Sequence, residues 1–549
     1  MRFVPVRAAI LGALFAAIIT LPGLGNGTLW DNSETVYGEA AREVLLTHDW
    51  VVMHVNGVPW FVQPPLFFWI AAWCAKIFGV TAFAMRLPAA LATIAMGGAL
   101  GYATARVAGT RAGTVAAIVL STSLMQAIVG RLAIMDALLD LCVVIATLCW
   151  FRAFEPHDHR NDARRRTTAF LSGTVALALG TLAKGPVAPV IVVLVVAVWL
   201  LWERRSDAPI ALPSWATFAA AGGIFVLIVA PWFVLEAIRV GPDAFRELIG
   251  HYTVGRYTGV IENQSGPWWY YVPVVILGFF PWIAFVPAAT VQAIDTARTR
   301  AGSLERLALT WTIVPLVFFS FAETKLPNYV ALMLPALAII VALWFERVSD
   351  AVDRRAAIGS ALTIPLFIGA LGIAIVVFIQ NNHLESTTAI VVPQAEILGV
   401  AMLIGSLATV AAIATRNWNW IAPYVLGATS GALVLFIAFI AEPAAETFKP
   451  IPAIAHVIQE QRAPASKVAI RGVSGSYSLI FYTEPGVLSL DESPAADPAT
   501  ICAAPDLFLV TRAADVDELT QLAGARGRNV LELGRLNGVA LLHLTGSGC

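Results

Sequence analysis

The sequence predicts a polytopic α-helical membrane protein of about thirteen transmembrane helices, with a small α/β domain at its C-terminal end. Three observations carry that expectation. Of 549 residues, 58% are hydrophobic and 13% charged, with a mean hydropathy of +0.76, whereas soluble chains carry about 45–50% apolar and about 25% charged residues. Apolar runs near the length needed to cross a bilayer, about 20 residues, recur along the chain. After residue 441 the pattern changes to polar stretches broken by short β-type runs. Too few charges exist to clothe the several soluble domains that a chain of this length would otherwise need. The formal net charge of -1 also removes an electrostatic case for nucleic-acid binding.

In order, the runs fall near 8–27, 84–105, 112–130, 136–152, 168–183, 186–202, 215–237, 269–291, 307–322, 328–346, 357–379, 395–415 and 419–441. The first follows Arg2 and Arg7 as a secretory leader would, but Gly23-Leu24-Gly25-Asn26-Gly27 is a poor cleavage site, so it is expected to stay as an anchor. With the N-terminus inside, eighteen loop cations fall on the cytoplasmic side and nine on the other. That bias predicts a cytoplasmic N-terminus and a periplasmic or extracellular C-terminal domain, in the plasma (inner) membrane. It holds only if 64–80, short and carrying Lys76, lies in the outer interface instead of crossing. Residues 1–441 then form the membrane domain, with 28–82 its first outer loop. Residues 442–549 form the outer domain, with β-type runs at 468–470, 479–482, 507–510 and 539–542 and helical stretches near 451–462 and 514–524. Of five cysteines, Cys74, Cys142 and Cys149 suit apolar surroundings, and Cys502–Cys549 is the one plausible disulfide pair.

Charged groups beside a bilayer are costly, so those that share a cavity are functional candidates. The first outer loop holds Asp31, Ser33 and Glu34 at the start of a helix, where an acid also suits the helix dipole and plain capping. Asp136 stands where an outer loop enters the fourth crossing, flanked by apolar residues, with Arg131 as one available partner. Asp140, one turn deeper, equally fits helix packing. The chain strongly prefers arginine, yet Lys76, Lys184 and Lys325 fall on the outer side. Lys184-Gly185-Pro186 and Lys325-Leu326-Pro327-Asn328-Tyr329 put ammonium groups at helix mouths, suited to a lipid-linked phosphate or to snorkelling. In loop 238–268, Arg256 suits a phosphate and His251 a metal ion, while Glu262 and Trp268-Trp269-Tyr270 complete the cluster. His383 and Glu385 stand isolated in a later loop. The phosphate-binding loop GxxxxGK[ST], dinucleotide fingerprints, HExxH and zinc-type spacings are all missing from the sequence, so no nucleotide or redox cofactor is implied. A divalent metal ion is the one cofactor left open.

Glu34-x-x-Tyr37-x-Glu39-x-x-Arg42-Glu43, His48-Asp49-Trp50-Val51, Asn56-Gly57-Val58-Pro59-Trp60-Phe61 and Pro64-Pro65-Leu66 resemble the first loop of the protein O-mannosyltransferase / aminoarabinose transferase family. The resemblance runs on through Arg86-Leu87-Pro88, Met135-Asp136-Ala137, Lys184-Gly185-Pro186, Val254-Gly255-Arg256-Tyr257, Pro281-Trp282, Lys325-Leu326-Pro327 and Leu334-Pro335, over roughly residues 1–345. It implies a glycosyltransferase C-type fold that moves a sugar from a polyprenyl-phosphate donor to a lipid, glycan or protein acceptor on the outer face. It also implies catalytic roles for Glu34 and Asp136, with Asp31 near, and donor-phosphate roles for Lys184, Arg256 and Lys325, joined by Tyr329 and Gln63. Three positions depart from the pattern. Ser33-Glu34 stands where the family has Asp-Glu, Val36 where aminoarabinose transferases often have Arg, and Val62-Gln63 where they have Glu-Lys. An inactive relative and a transporter or flippase of lipid-linked intermediates are the alternatives. Special polar groups at helix ends, not at the bilayer midplane, favour the enzyme over the transporter.

Overall fold

The computed structural model describes residues 3–154, 162–205, 210, 212–241, 246–261, 263–347, 351–381, 392–415, 419–490, 501–502 and 504–546. Glu262, His383, Glu385 and Cys549 lie outside them. Cys502 is disulfide-bonded, and Cys74, Cys142 and Cys149 are free thiols. In chain order the main helices are α1 (Phe3–Thr20), α2 (Glu34–Thr47), α3 (Leu66–Phe78), α4 (Ala82–Ala108), α5 (Thr110–Thr122), α6 (Leu124–Val129), α7 (Asp136–Phe154), α8 (Asp162–Lys184), α9 (Val187–Arg205), α10 (Trp215–Val240), α11 (Tyr271–Gly278), α12 (Val286–Ala297), α13 (Ser303–Ser320), α14 (Leu334–Arg347), α15 (Ala351–Asn381), α16 (Val392–Ala414), α17 (Ala422–Phe436), α18 (Pro450–Gln461), α19 (Ser476–Thr483) and α20 (Val516–Gly524). They divide into two compact units: Met1–Leu24, Phe61–Phe67 and Arg86–Ile440 form the first, and Gly25–Trp60, Phe68–Met85 and Ala441–Cys549 the second.

The chain is a multi-pass membrane protein. Among the described residues, eight helices are long and apolar enough to span a bilayer, or nine if the pair Tyr271–Gly278 and Trp282–Ala297, bent by 108°, counts as one span. The thirteen expected crossings are therefore not all reached by length and composition. Pro5–Thr20 rises only about 24 Å at 1.5 Å per residue against a hydrocarbon core of about 30 Å. Ser123 separates α5 from α6. In the first unit, glycines let backbones approach closely, as small residues do where helices meet in lipid. A Cβ at Gly113 on α5 would lie 2.3 Å from the Gly101 carbonyl oxygen of α4, and one at Gly12 on α1 would lie 2.6 Å from that of Gly97. Trp282, Trp311, Trp344 and Phe285 fill the core, and the Trp282 indole N–H donates to Thr122 Oγ1 at 3.0 Å. Glu203 on α9 takes two hydrogen bonds from Arg306 on α13, at 2.8 and 2.9 Å, and one from Trp199 at 2.9 Å. Arg306, fully buried, also binds the Ala297 and Thr299 carbonyls, so one cation fixes two helices and the turn between α12 and α13.

The second unit contains a short hairpin, β1 (His54–Val55) with β2 (Val58–Pro59), and a five-stranded sheet. Asn56 and Gly57 both take positive φ, +59° and +75°, as a tight two-residue hairpin turn demands. The sheet comprises β3 (Lys467–Arg471), β4 (Leu488–Leu490), β5 (Asp506–Arg512), β6 (Asn529–Leu536) and β7 (Val539–Thr545), in the order β4-β3-β5-β7-β6. β3 runs parallel to β4 and β5, and β7 antiparallel to β5 and β6. Residues 479–482, expected as a strand, instead belong to α19, the crossover between β3 and β4. A four-residue apolar run fits either period, and the parallel pairing of β3 with β4 requires a crossover there. β6 escaped the sequence reading because a bulge between Glu532 and Gly534 breaks its alternation.

Candidate active site

Local sequence explains how the first unit delivers polar groups to one place. Lys184 ends α8, Gly185 follows at φ +70°, and Pro186 stops the helix, so the ammonium is presented at a helix terminus. Asp136 opens α7, where the helix dipole favours a carboxylate. Asn328 and Tyr329 sit in the 3₁₀ turn Pro327–Met333 that leads into α14. Together they line a cavity of about 320 Å³ that also receives Gln63, Asp140, Tyr252, Arg256 and Tyr257, with Leu139, Val187, Val190, Leu248, Phe318, Phe319 and Leu332 among its apolar walls. Asp136 is 5% exposed, and its Oδ1 accepts from Lys184 Nζ at 2.5 Å and from Asn328 Nδ2 at 2.7 Å. The Lys184 ammonium lies 5.4 Å from the Tyr329 ring centre, and the Arg256 guanidinium 5.5 Å from that of Tyr252. Arg131 donates to the carbonyls of Thr20 and Pro22 at 2.7 and 2.9 Å, helping to cap the end of α1, and Lys184 pairs with Asp136.

Five of the residues named from sequence thus share this cavity: Gln63, Asp136, Lys184, Arg256 and Tyr329. Lys325 is not among the residues that line the cavity but lies next to it. Its ammonium donates to the carbonyls of Ser320 and Ala322 at 2.9 and 2.6 Å, of which Ala322 lines the cavity. Burial pulls the Lys325 pKa below the usual lysine range, with Glu323 opposing. His251 meets Tyr252 edge-on, with ring centres 4.9 Å apart. Among the described residues no group of three or more His, Cys, Asp or Glu side chains is placed to hold a metal ion. Asn328 and Asp140 were not singled out as site residues. Asn328 adjoins Pro327 and reads as a turn residue in sequence, and Asp140 as helix packing.

Glu34 and Asp31 belong to the second unit. Glu34 is fully buried, and its Oε2 accepts the Trp30 N–H at 3.0 Å. Asp31 Oδ1 accepts the Ser478 N–H of α19 at 2.8 Å, and Asp31 lines a cavity of about 170 Å³ with Trp30, Lys449 and Ser474. Arg42 joins Glu39 at 2.8 Å and donates to the carbonyls of Phe481 and Ile480, tying α2 to α19. Burial outweighs the Arg42 guanidinium and pushes the Glu39 carboxyl up to about 7.

Comparison with known proteins now has a fold and a site to bear on. Residues 62–235 match the family model described as dolichyl-phosphate-mannose-protein mannosyltransferase. The undecaprenyl phosphate-alpha-4-amino-4-deoxy-L-arabinose arabinosyl transferase of Edwardsiella ictaluri is 28% identical over 76% of this chain and 74% of its own length. A Proteus mirabilis transferase of the same name, numbered 2, is 30% identical over 61% of this chain but 58% of its own length. The crystal structure of ArnT from Cupriavidus metallidurans bound to undecaprenyl phosphate superposes with a TM-score of 0.80, at 22% identity, over 97% of both chains. The chain is thus similar to proteins of the protein O-mannosyltransferase / aminoarabinose transferase-like family. It is a membrane glycosyltransferase, and its fold is that of the ArnT structure. Within the family match lie Gln63, Asp136, Asp140 and Lys184, while Glu34, Arg256 and Lys325 fall outside it.

Proposed function

We propose that this chain moves a sugar from a polyprenyl-phosphate donor to a lipid, glycan or protein acceptor on the outer face of the plasma (inner) membrane. The observation that supports the reading best is the pairing of Asp136 with Lys184 and Asn328 in a cavity that Arg256 also lines. Relatives named for an undecaprenyl-phosphate sugar point the same way. The reaction needs a base for the acceptor hydroxyl and cations for a lipid phosphate that departs with added negative charge. An acceptor oxygen bonds to the anomeric carbon from the face opposite the phosphate, the carbon–oxygen bond to the phosphate breaks, and the hydroxyl proton passes to a carboxylate. Glu34 and Asp136 are the carboxylates assigned to that proton, with Asp31 beside Glu34 in sequence. Lys184, Arg256 and Lys325 take the phosphate side, and Gln63 and Tyr329 supply hydrogen bonds to the same group. When the phosphate arrives, Lys184 exchanges part of its hold on Asp136 for the new anion, which frees the carboxylate to accept a proton.

The topology that goes with this function has thirteen crossings, a cytoplasmic N-terminus, a membrane domain over 1–441 and an outer domain over 442–549. Purified protein in nanodiscs, given labelled polyprenyl-phosphate sugars and an envelope lipid extract, tests the assignment. Label is expected to leave the polyprenol for a second molecule. Label that crosses a proteoliposome membrane with its polyprenol still attached would establish the flippase instead.

A further inference from the structure

We infer that Asp140 is a specificity-determining residue, whose carboxylate accepts a hydrogen bond from an ammonium or hydroxyl group of the sugar carried by the donor. The inference rests on the donor reading above. Four residues along α7 from Asp136, Asp140 falls on the same helix face, and both carboxylates line the cavity. Their surroundings differ. Asp136 Oδ1 is already held by Lys184 and Asn328, whereas Asp140 is 1% exposed and its Oδ2 has no hydrogen-bond partner among the described residues. A buried carboxylate oxygen left unmatched, against Leu139, Val187, Val190 and Leu332, is costly. A ligand that brings a hydrogen to that oxygen removes the cost.

The parts of a polyprenyl-phosphate sugar differ in what they offer. The polyprenyl chain has no polar hydrogen, and the ionised phosphate carries acceptor oxygens with no hydrogen to give. The sugar ring alone carries hydroxyl or ammonium hydrogens. Two carboxylates and two cations on one cavity therefore sort the donor by chemistry: phosphate toward Arg256 and Lys184, sugar toward Asp140.

The test measures retention of three labelled lipids, without acceptor, by wild-type, Asp140→Asn and Asp140→Leu protein in nanodiscs. The lipids are undecaprenyl phosphate, its 4-amino-4-deoxy-L-arabinose derivative and its mannosyl derivative. Wild-type protein is expected to retain at least one sugar-bearing lipid more tightly than the bare phosphate. Asp140→Leu should weaken that lipid by about tenfold while leaving the bare phosphate within about twofold, the scale of one lost charge-assisted hydrogen bond. Asp140→Asn keeps the volume and one acceptor oxygen, so it should fold and weaken chiefly a lipid that bears an ammonium. Equal losses on all three lipids in Asp140→Leu, or none, overturn the inference, as does wild-type protein that prefers neither sugar-bearing lipid. If wild-type protein retains no lipid phosphate at all, the donor reading itself fails.

Discussion

Asp136 and Lys184 stand 48 positions apart in the chain and meet at 2.5 Å. Both were visible in the sequence, because an acid and a lysine at apolar helix ends are expensive without a purpose. Asn328, which donates to the same carboxylate oxygen, was not, because an amide after proline has the signature of a turn. On the proposed assignment Asp136→Asn keeps the shape but removes the base, and sugar transfer should fall by about 10²–10⁴-fold at unchanged expression. Near-normal turnover in both Asp136→Asn and Glu34→Gln, followed with labelled donor, would remove the catalytic assignment. Glu39 offers a test in the second unit. Its carboxyl is raised from 4.5 to about 7, chiefly by burial, so the folded chain binds a proton there more tightly than the unfolded one. Stability contributed at this residue is present below pH 4.5 and declines as pH rises toward 7. Glu39→Gln should flatten that part of the profile when thermal unfolding is followed from pH 4.5 to 7.5. An unchanged slope would mean that Glu39 is ionised throughout.

Between elements, close approach and buried charge hold the first unit together. A side chain at Gly113 meets the backbone of α4, which cannot retreat as a flexible side chain would, so Gly113→Leu should cost at least about 1–3 kcal/mol. A melting temperature in detergent equal to that of wild type would show that α4 and α5 can separate. Arg306→Ala leaves Glu203 buried without its main partner and should cost about 3–5 kcal/mol, with part of the loss recovered by adding Glu203→Gln. Most long helices were legible from apolar length alone, as in α7, α9, α10 and α16. Short elements were not. Residues 479–482 are helical because α19 must carry the chain between parallel strands, a requirement set by where β3 and β4 pair.

For the whole molecule, the bias of loop arginines and lysines fixes a falsifiable orientation. Alkaline phosphatase fused after residue 546 should be active in cells, and a fusion in loop 298–302 inactive. The reverse pattern would place the C-terminal domain in the cytoplasm and remove the case for chemistry at the outer face.

The sequence by itself determined that this chain lives in a bilayer, because composition and run length decide whether lipid or water solvates a surface. It also pointed to the family resemblance, because ordered short motifs carry weight where single residues mean little. Only the tertiary structure decided which polar groups meet. Asp136, Lys184, Arg256 and Asn328 come from four separate stretches, and no periodicity within a stretch encodes its distance to another. The orphan oxygen of Asp140 belongs to the same class of fact: burial and partnership are properties of a packed cavity, and a residue acquires them only when the neighbouring helices are in place.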